Sequence, residues 1–74
     1  MPIPDEDKFT ILRKRFELDP NGPNAVALVR EASTEHLASM MRSDYMSSAA
    51  FMQSALTEAM IRCLERAADL NVPF

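Results

Sequence analysis

Residues Asp44 to Leu70, DYMSSAAFMQSALTEAMIRCLERAADL, run without proline or glycine and constrain the fold more than any other stretch. Alanine, leucine, methionine, glutamate, glutamine and arginine dominate it, and all are good helix formers. At about 100° per residue, Tyr45, Ala49, Met52, Leu56, Ala59, Met60, Cys63, Leu64, Ala67 and Leu70 share one broad arc. This predicts a long helix that buries one side in a core or against a second copy. The other side carries Glu58, Arg62, Glu65, Arg66 and Asp69. Glu58 precedes Arg62 at the favourable four-residue spacing, worth roughly 0.3–0.5 kcal/mol in an isolated helix. Ser43, Asp44 or Ser47 can cap the start, and Asn71 with Pro73 marks the stop.

Two apolar residues stand off that arc. Phe51 falls on the charged side and Ile61 on a flank with Ala50 and Ala68. Either they pack under the N-terminal segment or stay exposed, or they form a second contact surface for a partner chain.

Seventy-four residues make one domain, spanning 1–74. A core of this size rarely supplies more than about 3–5 kcal/mol without a disulfide, a metal or oligomerisation. One Cys cannot form an internal disulfide, and one Cys with one His gives no zinc spacing. Self-association is the remaining staple, so a homodimer is expected. Cys63 lies on the apolar arc and is expected to be a buried, inert thiol. No apolar run approaches the roughly 20 residues needed to cross a bilayer, and MPIPDEDK does not read as a signal peptide. A cytoplasmic protein with no membrane role is expected. The formal charge is −3, yet Lys8, Arg13, Lys14 and Arg15 concentrate basic residues near the start.

The rest of the chain divides at its turn signals. Residues 1–7, with two prolines and three acids, read as a flexible lead-in that offers Asp5 or Asp7 as a helix cap. Residues 8–18, KFTILRKRFEL, suit either a helix through Phe9, Leu12 and Phe16 or a strand through Leu12, Phe16 and Leu18. Helix is favoured, because a lone strand has nothing to pair with. DPNGPN, residues 19–24, is a hard break. Residues 24–42 read as a helix capped by Asn24, with Val26, Val29, Ala32, His36, Leu37 and Met40 on its inner face. The link 41–48 is either a turn, giving a helical hairpin, or a continuation into one long rod, and its cap formers favour the turn.

No catalytic constellation emerges, and catalytic, cofactor-binding and metal residues are all assigned as none. Glu31 and Glu35 share a helix face but lack a Glu-x-x-His partner, so a solvated face is expected. Six methionines, several of them near the 41–48 link, suit gap-filling or an adaptable binding surface. Residues 47–64 also resemble the second helix of ribbon-helix-helix DNA-binding proteins, through Ser47, Phe51, Met52, Ala55 and Leu56, and RKRFELDP resembles the strand of that family. The resemblance implies a dimer whose paired strands enter the major groove, with Arg13, Lys14, Arg15 and Glu17 near the bases.

The expected fold is therefore all-α: a hairpin of helices 24–42 and 44–70, crossed by the helical or extended segment 8–18 and paired as a homodimer. The expected function is non-catalytic protein binding by a small regulator, adaptor, inhibitor or co-chaperone. Its partners would be itself and another protein, with Phe51, Ile61, Met41 and Met46 as contact residues. The alternative is the DNA-binding dimer.

Overall fold

The computed structural model describes residues 7–70, and these form helices and turns with no strand among them. The lead-in before Asp7 and the stop residues Asn71 and Pro73 lie outside the described residues. Four α-helices follow in order: α1 (Lys8–Leu18), α2 (Gly22–Glu31), α3 (Thr34–Met41) and α4 (Ala49–Asp69), with a single 3-10 turn at Asp44–Ser47 between the last two. Segment 8–18 is thus helix, as favoured, and not the strand that the ribbon-helix-helix resemblance implies.

Each boundary is made by a short polar side chain. The Asp7 carboxylate accepts from the Thr10 backbone N–H at 2.8 Å and starts α1. That bond holds the Asp7 carboxyl below its usual range. Asn21, not Asn24, caps α2 by accepting from the Asn24 backbone N–H at 2.8 Å. The Asn24 side chain instead donates to the Asp19 carbonyl at 2.8 Å and ties the turn shut. Ser48 caps α4 by accepting from the Phe51 backbone N–H at 3.3 Å, so the long helix begins five residues after Asp44 and the link is a turn.

The single helix expected over 24–42 is two helices. Ala32 leaves the helical conformation, with φ −63° and ψ 137°. Ser33 then caps α3 by accepting from the His36 backbone N–H at 3.0 Å. The break resets the phase of the second half; Val29, Ala32, Leu37 and Met40 of the expected inner face are buried, but Val26 and His36 are not, and Leu28 takes a core place that an unbroken period did not give it. Ala25, Leu28, Val29 and Ala32 point inward from this region, while Val26 and His36 are exposed. His36 is no packed core histidine: its ring stacks on Phe9 of α1, with centroids 4.4 Å apart and planes inclined by 7°.

The core combines Phe16 of α1, the inner face of α2, Ala32, Leu37 and Met40 near and on α3, and Phe51 with Ala55 of α4. Its centre is an aromatic trio. Phe51 lies 5.7 Å from Phe16 and 5.3 Å from Tyr45, and Phe16 lies 5.8 Å from Tyr45, all tilted. Phe51 is completely buried, so it has no surface to offer as a contact residue.

Burying Phe51 turns α4 to the side opposite the one its apolar arc suggests. The same inner face carries Glu58 and Arg62 about two and three turns further on. Arg62 Nε donates to Glu58 at 3.2 Å, and Arg62 Nη2 donates to the carbonyls of Ala32 and Val29 at 2.6 and 3.0 Å. Those carbonyls belong to the end of α2, where the helix leaves them without intrahelical partners and where the dipole favours a cation. The pair expected to be a solvated surface bridge is therefore mostly covered, and it fastens α4 to the α2–α3 break.

Phe51→Ala is expected to remove about 3–5 kcal/mol, as much as a core of this size supplies. Circular dichroism should then show the variant largely unfolded without denaturant. Arg62→Ala should lower stability by about 2 kcal/mol, within the range for hydrogen bonds from a charged donor. Arg62→Lys should restore less than half of it, because the ammonium lacks the fork that spans two carbonyls and a carboxylate. Urea midpoints of the three proteins measure this.

Candidate interaction surface

With α4 turned inward at Phe51, its apolar arc faces outward. Met52, Leu56, Met60, Leu64 and Leu70 are 41%, 51%, 64%, 49% and 60% exposed, and Cys63 among them is exposed rather than buried. Every charged residue of α4, from Glu58 to Asp69, lies within about 100° of arc on the side of Phe51 and Ala55. This inverts the usual surface helix, which turns its charges to water and its apolar stripe to the core. The outer face of α4 carries no charge along about 30 Å of helix.

Beside it runs a groove of about 600 Å³ between α3 and α4. Leu37, Ala38, Met41, Ala59 and Cys63 give it an apolar lining, and Thr34, Arg62, Glu65, Arg66 and Asp69 give it polar edges. Ala59 and Cys63 belong to both surfaces, so groove and stripe are continuous.

The four contact residues expected from sequence are not brought together. Met41 lines the groove, Phe51 is in the core, and Met46 is half-buried against that core. Ile61 is exposed but sits two residues from both Ala59 and Cys63, about 160° around the helix from the groove. Leu56, Met60 and Leu64, which sequence reasoning assigned to a buried arc, are the exposed ones. Their signal was present in the sequence; what was missing was which face of α4 the rest of the chain would cover.

The basic cluster does not form one face. Arg13, Lys14 and Arg15 are consecutive and exposed on α1, so they fan around about 200° of helix. Arg13 sits over the Phe9 ring, 5.8 Å from its centroid. Glu31 and Glu35 are both exposed, with Glu31 3.5 Å from Lys8 Nζ. Among the described residues, no three His, Cys, Asp or Glu side chains gather as metal ligands, and no helix is long and apolar enough to cross a membrane.

A second, shallower hollow of about 430 Å³ lies where α1 meets the 3-10 turn, between Phe16, Glu17, Pro20, Asp44 and Tyr45. Here the Tyr45 hydroxyl donates to the Glu17 carboxylate. Burial, then this bond and the negative charge of Glu17, push the Tyr45 phenol up to about 12 from 10.0. Comparison with protein-family models, curated proteins and solved structures finds no match to this chain.

Tyr45 is the chain's one tyrosine, so phenolate absorbance reports it alone. The native protein should titrate near 12 and the urea-unfolded chain near 10.0. Because the folded state holds the proton more tightly, this group's contribution to stability is full below pH 10 and is lost as pH rises towards 12. Glu17→Gln should bring the native midpoint down while leaving the part due to burial.

Proposed function

We propose that this protein is a non-catalytic protein-binding module, a small cytoplasmic regulator, adaptor, inhibitor or co-chaperone that acts through helix faces and works as a homodimer. One observation supports this above the others: the longest helix buries Phe51 and Ala55 and covers Glu58 and Arg62 on one face, and leaves the uncharged face opposite exposed to water. An exposed, contiguous apolar strip marks an interaction surface. The adjoining groove adds small and adaptable side chains, Ala38, Met41 and Ala59, beside charged edges. Self-association belongs to the same reading, since the chain's own core is small and no disulfide reinforces it.

Affinity capture from source-cell lysate, with and without nuclease, tests the reading when wild type is compared with Leu56→Glu on the stripe and Ala38→Glu in the groove. A defined set of proteins should survive nuclease and be lost from at least one variant. Unchanged capture by both variants would refute the assignment of this surface. Recovery of specific DNA that nuclease abolishes would point to nucleic-acid recognition instead.

A further inference from the structure

We infer that a second copy of this chain packs antiparallel along the outer face of α4, with the two-fold axis passing between Ala59 and Met60. The inference rests on reading that face as a binding surface, and it names the occupant. Apart from Leu64 at its edge, the spacing of the apolar positions along the strip is the same read in either direction: Ala49, Met52, Leu56, then Ala59 with Met60, then Cys63, Ala67 and Leu70. A two-fold between Ala59 and Met60 therefore sets Ala49 opposite Leu70, Met52 opposite Ala67, Leu56 opposite Cys63 and Ala59 opposite Met60. At the three levels away from the axis a larger side chain meets a smaller one, the alternation that lets facing helices interdigitate, while at the axis Ala59 and Met60 each also neighbour their own mate. A parallel, in-register pair would instead stack Met52 on Met52, Leu56 on Leu56 and Ala67 on Ala67, crowding some levels and leaving gaps at others.

Area and charge agree with this arrangement. Met52, Leu56, Met60, Leu64 and Leu70 expose on the order of 500 Å² per copy, or at most about 1,000 Å² for the pair, near the lower bound for a biological interface. The smaller residues between them add to it. The pairing is isologous, so each copy supplies the same strip and the lengths match. No charge enters the seam. Arg66, the nearest, would lie about 20 Å along the axis from its own symmetry mate, too far for like-charge repulsion to matter at ordinary salt.

Cys63 makes the register testable. Antiparallel packing separates the two Cys63 thiols by about 10 Å along the seam and brings position 56 of one copy against Cys63 of the other. Within one chain the two positions are also about 10 Å apart, too far for an internal disulfide. Sedimentation of the full chain should give a dimer for wild type and half that mass for Leu56→Glu, with the helical circular dichroism of both unchanged. Under mild oxidation, Leu56→Cys should give a covalent dimer that needs both the introduced thiol and Cys63. Wild type and the Leu56→Cys/Cys63→Ser double variant should stay uncrosslinked. Rapid crosslinking of either of these two would establish parallel pairing and overturn the inference. So would a wild-type monomer at high micromolar concentration. If that monomer still loses a captured protein on Leu56→Glu, self-pairing fails but the binding surface stands. If its capture is unaffected by both surface variants, both fail.

Discussion

The fold turns on what the Arg62 guanidinium does. Where α2 ends at Ala32, the carbonyls of Val29 and Ala32 have no helical donors left, and they sit at the negative end of that helix. Arg62 supplies the donors from α4, and Glu58 holds the same guanidinium from one turn back. Once Arg62 faces the break, the geometry of α4 leaves little choice. Glu58, Ala55 and Phe51 lie on the same face at helical spacing and must also point inward. Phe51 then reaches Phe16 and Tyr45, which brings α1 and the 3-10 turn into the same core. One cation thus links the two halves of the chain, and the apolar centre is assembled on the same side of α4. The cost of covering a charge is offset because all its neighbours are acceptors with no other partner.

Much of this was legible in the sequence, and the part that was missed has two causes. Helix formers, the DPNGPN break and the serines near residue 43 carry local information, and local information set the all-helical class and the turn before α4. The break at Ala32–Ser33 was also written locally, in a serine followed by Thr34 and Glu35, a start signal embedded in an otherwise continuous helical pattern. Reading through it hid Leu28 and placed Val26 and His36 inside, although Val29, Ala32, Leu37 and Met40 are buried as expected. The orientation of α4 was different in kind. Its apolar arc is the stronger stripe, and any rule based on amphipathicity buries it. Only the carbonyls thirty residues upstream, and the aromatic pair waiting for Phe51, make the weaker stripe the buried one. That is tertiary information, and no window along α4 contains it.

The same inversion explains why one helix can serve two purposes. A helix with charges on one side and apolar residues on the other has a single good partner. In α4 the charged side is divided: Glu58 and Arg62 are used in attachment beside the buried Phe51 and Ala55, while Glu65, Arg66 and Asp69 beyond them are exposed. The apolar side is left over. For a chain with nine buried apolar residues among those described, an exposed strip of this length is a large share of the apolar surface available. Leaving it in water would cost roughly 25 cal/mol for each Å² that a partner would otherwise cover.

If two copies pair antiparallel along that strip, as proposed, the pairing also determines where a further protein can bind. The two-fold axis lies in the plane between the paired helices and perpendicular to them, so each flank of the seam meets the same flank of the other copy. The groove lined by Ala38 and Met41 opens on the flank of α4 that carries Ala59 and Arg66. Both grooves of the pair therefore open on one side of the dimer, while the two copies of Ile61 lie towards the other. The apolar strip is consumed by self-association, but the groove beside it is doubled and brought onto a single surface. Two weak sites held in fixed geometry bind a partner with matching repeats far more tightly than either site does alone. In the proposed pair, a chain that already folds on its own modest core would gain added stability and a bivalent binding face from the same contact.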